Sequence, residues 1–182
     1  MAGRRLIVVA ALFGLLGVYP ASSEEAAQSF AMWPGASYDP DIPTIEQVTG
    51  HKPGERITWT SDVIRYFEAL AKAAPDRVVV KEYARSWEGR PLIYAAISSP
   101  RNIARLADIS EGMKRLADPR KIDQAAADQL IAELPGTVWL SYAVHGNEIS
   151  STDAAMMTAY HLLAATSDER AGLGAGADHA PL

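Results

Sequence analysis

The spacing of apolar residues along the chain predicts alternating helices and strands. Apolar positions recur at three- and four-residue steps in segments 60–74, 102–116 and 123–134, as in helices with one buried face. Two runs rich in β-branched and aromatic residues, 77–85 and 91–98, are separated by a Glu-Gly-Arg turn, which is typical of a β-hairpin.

A further strand is predicted at Thr137–Val144, where the residues are apolar on both faces apart from Ser141. Such a strand usually lies inside a sheet that has helices on each side. It is followed by His145–Glu148, and then by Ser150 or Ser151, either of which is placed to cap a last helix. These segments together predict an α/β fold with a mixed sheet flanked by helices. With only three or four strands present, the fold is expected to be incomplete.

The first residues of the chain predict export. Arg4 and Arg5 precede thirteen apolar or Gly residues, 6–18, and small residues follow up to Ser23, as in a cleaved secretory signal. The apolar run is shorter than the roughly 20 residues that span a membrane. We therefore expect a signal peptide at residues 1–23, a secreted or periplasmic protein, and no stable membrane insertion after signal cleavage.

The rest of the chain divides by composition into three parts. Residues 24–53 are rich in Pro, Ala, Ser and Asp, and they are predicted to form an irregular lead-in arm with at most a short helical turn ended by Gly50. The periodic segments occupy residues 54–170, the predicted folded domain. Residues 171–182 are mostly small, which predicts a disordered tail where an alternating α/β chain would supply another strand. The chain is expected to stop before its fold is complete.

Charge and cysteine content narrow the possible functions. The 182 residues carry a formal net charge of −5 with both signs mixed, so no electrostatic signal for nucleic-acid binding is present. The chain contains no Cys. An exported protein without disulfides depends for its stability on its core or on a metal.

His145 and Glu148 are the candidate metal ligands. Imidazole and carboxylate are both good zinc ligands, and a catalytic zinc typically has three protein ligands and a water. The pair follows the end of a predicted buried strand, where open α/β sheets place their sites, and Gly146 lets the backbone approach closely. The spacing alone also fits a loop His followed by a Glu at a helix entry.

Two motifs occur in order along the chain. Glu88–Pro91 lies between the hairpin strands, and the His145/Glu148 pair follows the next predicted strand. This order resembles the zinc carboxypeptidases of the carboxypeptidase A/B type, and the resemblance covers roughly residues 51–165. It implies a Zn²⁺ cofactor with His145 and Glu148 as its first two ligands, and a peptide substrate.

The resemblance also implies roles for other residues. Asn147 stands where many family members have an Arg that contacts substrate, so Asn147 is the candidate substrate-binding residue. Glu88, Gly89 and Arg90 match the family's turn motif and are expected to be structural. Gly89 is expected to have a positive φ, and Arg90 to pair with a neighbouring carboxylate.

The activity that the resemblance implies is zinc-dependent hydrolysis of the C-terminal peptide bond of peptides. In the family the third zinc ligand, the residues that hold the substrate's carboxylate and the general-base Glu all come later than this chain reaches. The chain is therefore expected to be a truncated member with no catalytic residue of its own, and to be inactive as a peptidase by itself.

The other histidines are predicted not to bind metal. His51 is expected to be a solvated loop residue, and His161 a partly buried residue of the last helix. His179 lies in the tail of small residues, where ordering the chain costs entropy and nothing orients the imidazole. Packing at the ends of elements is expected for three tryptophans: Trp59, Trp87 and Trp139.

Two alternative functions remain open. The form His-Gly-Asn-Glu also resembles zinc amidohydrolases of the aspartoacylase and succinylglutamate desuccinylase type, which act on small N-acylated amino acids. The export signal and the upstream turn favour the peptidase over this class. The second alternative is a non-catalytic binding protein that retains half of a site.

Overall fold

The computed structural model describes Trp33 and residues 35–166. These residues lie in one of the two compact units of the chain, Met32–Leu182; the predicted signal peptide and the predicted tail lie outside the described residues. The described part contains six helices and two strands. In chain order they are α1 (Ile45–Thr49), α2 (Thr60–Ala73), β1 (Val78–Arg85), β2 (Pro91–Ile97), α3 (Pro100–Ala104), α4 (Leu106–Leu116), α5 (Gln124–Glu133) and α6 (Ser150–Ala164).

The fold is an incomplete α/β arrangement, in agreement with the prediction. Its sheet, within the described residues, is the antiparallel pair β1 and β2, in register from Val78 opposite Ile97 to Arg85 opposite Pro91. The register shifts once, between Glu82 and Ala84, as at a β-bulge. The predicted hairpin is therefore confirmed.

The core lies where α2, α6, β1 and the described part of the lead-in arm meet. The amphipathic pattern predicted for α2 is confirmed, since Tyr66 and Leu70 on its inner face are fully buried. Full burial of one such side chain stabilises the fold by about 1.5–3 kcal/mol. The arm, predicted to be irregular, adds the short helix α1, which ends at Gly50 with φ of 80°. The buried apolar cluster comprises Ile42, Ile45, Tyr66, Leu70, Ala74, Val78, Met156, Ala159, Leu163 and Ala164.

The end of α6 is held by hydrogen bonds from distant parts of the chain. The Asp39 backbone N–H donates to the Ala164 carbonyl over 2.7 Å, and the Arg77 guanidinium donates to the Leu163 carbonyl over 2.8 Å. Thr166 N–H donates to the Ser37 carbonyl over 2.8 Å. The first two bonds satisfy carbonyl groups that a helix end leaves without helical partners, and the third joins the residue after Ala165 to the arm. Together they fix the direction of α6.

The prediction of a strand at Thr137–Val144 is wrong. The segment has no regular secondary structure and is exposed throughout, with Val138, Trp139 and Val144 each more than 70% exposed. A strand needs a neighbour to receive its backbone hydrogen bonds, and no further strand extends the β1–β2 sheet in the described part of the chain. The apolar sequence alone could not supply that neighbour.

Two smaller predictions also need correction. The helix predicted at 102–116 is divided into α3 and α4 at Arg105, whose φ of −113° and ψ of 24° interrupt the helical path. The three tryptophans expected to pack at element ends are instead exposed: Trp59 by 69%, Trp87 by 106% and Trp139 by 73%.

Candidate metal centre

The candidate ligands lie in a tight turn immediately before α6. The Glu148 N–H donates to the His145 carbonyl over 3.1 Å, and the Ser151 N–H donates to the Glu148 carbonyl over 3.1 Å. The first bond closes the turn, and the second leads the backbone into the helix. The predicted side-chain cap at Ser150 or Ser151 is wrong, because the helix is preceded by Ile149 and has no side-chain cap bond.

The turn brings the two candidate side chains into contact. His145 Nδ1 and Glu148 Oε1 are 2.8 Å apart, and the side chains are 70% and 50% exposed. A hydrogen bond between groups this exposed adds little to the stability of the fold. The contact matters for chemistry instead, because it places a nitrogen donor beside a carboxylate donor.

The chemistry and spacing of this pair fit two of the ligands of a zinc ion. Zinc accepts imidazole nitrogen and carboxylate oxygen, and two ligand atoms on a tetrahedral zinc are about 3.4 Å apart. The observed 2.8 Å would have to widen by a small amount, which two exposed side chains allow. No third His, Asp or Glu joins the pair to form a metal-binding group within Trp33 and residues 35–166.

Asp153 anchors the helix that follows the turn. Its side chain is buried in the first turn of α6, where its two carboxylate oxygens accept hydrogen bonds from the Gly54 N–H over 2.7 Å and from the Thr58 hydroxyl over 2.6 Å. A negative charge is also favourable at a helix N-terminus. Nothing in the sequence singles this residue out, since an acidic residue in a first helical turn gives no sign of partners almost a hundred residues away.

His51 and His161 lie in structural positions. His51 is 2% exposed, so the prediction of a solvated loop residue is wrong: its Nδ1 lies 3.1 Å from the Lys52 carbonyl, and α1 packs near it through Thr49, whose hydroxyl donates to the His51 carbonyl. His161 is buried in α6, stacked on Trp33 with ring centroids 3.9 Å apart. Neither belongs to a three-residue metal-binding group among the described residues.

The remaining candidate residues lie in two separate exposed turns, the one before α6 and the one between β1 and β2. Asn147 is an exposed residue of the turn between the two candidate ligands. In the hairpin turn, Gly89 has φ of 74°, and the Arg90 guanidinium lies 2.7 Å from the Glu88 carboxylate. The Arg85 guanidinium donates to the Gly89 carbonyl over 2.8 Å, which ties the turn to the strand before it.

A family model described as zinc carboxypeptidase matches residues 63–173, more than half of the chain. The chain belongs to the zinc carboxypeptidase family. The matched part contains both the hairpin and the His145/Glu148 turn, so the resemblance drawn from these motifs is confirmed. No curated protein and no solved structure gave a match.

Membership of the zinc carboxypeptidase family indicates the metal and the substrate class of the family. Zinc is the metal of the family, and its members act on peptides. No helix in the described part of the chain is both long enough and apolar enough to cross a membrane.

Proposed function

We propose that His145 and Glu148 are two ligands of the zinc ion of a metallocarboxypeptidase, which hydrolyses the C-terminal peptide bond of peptides. The observation that carries this proposal is the 2.8 Å contact between the imidazole and the carboxylate, at a turn within the family match. A zinc ion held by these two residues would supply Lewis-acid chemistry at the peptide carbonyl group.

The residues around the pair have separate parts in the proposal. The imidazole of His145 offers a nitrogen lone pair, and the carboxylate of Glu148 offers an oxygen and a negative charge. Asp153 is a positioning residue, because it fixes the start of α6 and hence the end of the turn that carries both ligands. Asn147, exposed in the same turn, is proposed to contact the substrate, and Glu88, Gly89 and Arg90 to hold the shape of the hairpin.

For this chain by itself we propose weak zinc binding and no peptidase turnover. The described residues offer two zinc ligands where a catalytic zinc typically has three. No described residue is assigned the part of general base. We propose that the isolated chain is inactive as a peptidase.

We also propose that the protein is exported. The support is the sequence of residues 1–23, in which two arginines precede a short apolar run and small residues. The proposed order is then a signal peptide, the arm at 24–53, the family domain at 54–170 and a tail at 171–182. Mass spectrometry of the protein secreted by a bacterial host would identify the first residue after cleavage, expected near Ser23.

The family match favours a zinc carboxypeptidase over an amidohydrolase. An amidohydrolase acting on N-acylated amino acids has only the His-Gly-Asn-Glu form in its support, whereas the zinc carboxypeptidase match extends over residues 63–173. A non-catalytic protein with half of a site would share the zinc pair but would gain no activity when the missing ligands are supplied.

Zinc titration by calorimetry tests the ligand assignment. The wild-type chain is expected to bind Zn²⁺ and His145→Ala to lose that binding, with Glu148→Gln weakening it. Glu111→Gln is the matched control, because Glu111 is 67% exposed on α4 and is not a proposed ligand. Equal binding by wild type and His145→Ala would show that the zinc assignment is wrong.

A further inference from the structure

We propose that Tyr142 and Thr158 are positioning residues of the metal centre, and that the hydrogen bond between them holds the turn at 145–148 in the conformation that binds zinc. The inference rests on the proposed zinc pair. It adds two residues that lie outside the ligand set and act through the backbone that carries the ligands.

One hydrogen bond joins the segment before the turn to the helix after it. The Tyr142 hydroxyl donates to the Thr158 hydroxyl oxygen over 3.1 Å. Thr158 lies in the middle of α6, and that helix begins at Ser150, directly after the turn. Both candidate ligands therefore lie within a loop that is closed by this bond and by the helix itself.

The closed loop requires the chain to fold back between its two ends. Ser150 and Thr158 are about 12 Å apart along the axis of α6, since a helix rises about 1.5 Å per residue. An extended chain covers about 3.3–3.6 Å per residue, so residues 143–149 could span about twice that distance. With Tyr142 tied to the helix these residues cannot extend, and the turn at 145–148 takes up the excess length. The bond therefore favours the bent path that places the imidazole beside the carboxylate.

Ala143 has a backbone conformation that needs support from its surroundings. Its φ is 53°, and it is the one residue other than glycine with a positive φ in the described part of the chain. A left-handed conformation is unfavourable for a residue with a Cβ atom, and it persists where neighbouring contacts hold it. Tyr142 directly precedes Ala143, and His145 comes two residues after it. The bond thus holds the backbone at the point where it changes direction toward the first ligand.

Asp153 holds the other side of the turn. Its buried carboxylate accepts hydrogen bonds from the Gly54 N–H and the Thr58 hydroxyl, which fixes the first turn of α6 behind Glu148. A ligand pair that is held from both sides needs less ordering when it binds a metal. The Tyr142 bond should therefore raise the fraction of chains that are ready to bind zinc, and with it the apparent affinity.

Zinc titration of the full chain by calorimetry tests the inference, with ZnCl₂ as the probe. Tyr142→Phe keeps the aromatic ring and removes only the hydroxyl. It should raise the dissociation constant for Zn²⁺ by about three- to tenfold, the range expected for the loss of one hydrogen bond. Tyr83→Phe is the matched control, because Tyr83 is a 62% exposed residue of β1 outside the loop. It should leave the zinc affinity unchanged.

Variants of Thr158 separate positioning from a general loss of structure. Thr158→Val removes the acceptor at similar volume and should weaken zinc binding by the same factor as Tyr142→Phe. Thr158→Ser keeps the hydroxyl and should bind zinc as the wild type does. The double variant Tyr142→Phe/Thr158→Val should bind zinc no more weakly than either single variant, because all three lack the same interaction.

The outcomes distinguish this inference from the proposed function. If His145→Ala abolishes zinc binding while Tyr142→Phe leaves it unchanged, the positioning role is overturned and the zinc pair stays supported. Additive losses in the double variant, or a Thr158→Ser variant that binds zinc as weakly as Thr158→Val, would overturn the positioning role in the same way. Zinc binding that is absent in the wild type, or equal in wild type and His145→Ala, would overturn both.

Discussion

The core around α2 and the segment at residues 137–149 are both rich in apolar residues, yet only the first is buried. Leu70 of α2 has no exposed surface, because α1, α6 and β1 pack around the helix that carries it. Leu140 is 55% exposed, although every residue from Val138 to Val144 except Ser141 is apolar. An apolar run therefore indicates which residues would be stabilised by burial. Whether they are buried depends on other helices and strands packing against them.

The same contrast between buried and exposed positions holds for two acidic residues, Asp153 and Glu148. Asp153 is buried, with each carboxylate oxygen accepting a hydrogen bond, whereas Glu148 is half exposed and contacts one exposed imidazole. Asp153 therefore serves the fold, and Glu148 remains accessible to a ligand. This division of roles is what a binding turn on a rigid helix requires.

The largest expected difference in stability between the two regions is between replacing a leucine of the core by Ala and replacing a leucine of the segment at 137–149 by Ala. Leu70→Ala should lower the free energy of unfolding by about 2–5 kcal/mol, because it leaves a cavity in a packed core. Leu140→Ala should change that energy by about 0.5 kcal/mol or less, as at an ordinary surface position. Urea unfolding followed by circular dichroism measures both. Equal losses for the two variants would show that the segment at 137–149 is packed in solution.

Removing the buried carboxylate should have the next largest effect. Asp153→Ala should cost about 1.5–3 kcal/mol of stability, because the Gly54 N–H and the Thr58 hydroxyl lose a charged acceptor. Thr58→Val, which removes one of the two donors, should cost less. Chemical denaturation of both variants provides the measurement, and an unchanged midpoint for Asp153→Ala would argue against the anchoring role.

Alkaline pH should weaken the core through Tyr66. Burial raises the pKa of the Tyr66 phenol above its ordinary value, and nearby Tyr160 adds to the rise. The unfolded chain loses this proton near its ordinary pKa of about 10 while the folded chain keeps it, so stability is complete below that pH and falls as pH rises above it.

Tyr66→Phe tests that assignment. The variant should be less stable by about 1 kcal/mol at neutral pH, since the Tyr66 hydroxyl donates to the Pro43 carbonyl over 3.2 Å. Above pH 10 it should lose less stability with rising pH than the wild type. Thermal melts across the alkaline range would show this, and parallel pH profiles for the two proteins would place the titrating group elsewhere.

A small effect on stability is expected at the candidate ligands. Glu148→Gln should change the free energy of unfolding by about 1 kcal/mol or less without metal, because contacts between exposed polar side chains contribute little. The same variant should lose most of its zinc affinity, so its melting temperature should no longer rise when zinc is added. A large loss of stability without zinc would mean that the pair serves the fold instead of a metal.

Local patterns account for the predictions that the structure confirms. The inner face of α2, the β1–β2 hairpin and the short helical turn ended by Gly50 all depend on residues within a few positions of one another. The family membership also followed from two short motifs, the turn at Glu88–Pro91 and the pair at His145 and Glu148, read in their order along the chain.

Residues far apart in sequence account for the predictions that failed or were missed. His51, for which the sequence predicts exposure to solvent, is buried, and Asp153, which no sequence pattern singles out, joins α6 to the loop at Gly54 and Thr58. The apolar segment at 137–144 was expected inside a sheet. Periodicity describes one segment at a time, so it cannot reveal which distant group receives a hydrogen bond.

The sequence by itself determined the amphipathic helices, the hairpin, the family and the two residue types of the candidate zinc pair, because each depends on short-range spacing. Only the tertiary structure decided that His145 and Glu148 meet at 2.8 Å in an exposed turn, that Asp153 fixes the helix behind them, and that residues 137–144 form no strand. The physical reason is that a contact or a backbone ladder requires two partners, and the second partner is placed by the folding of the whole chain.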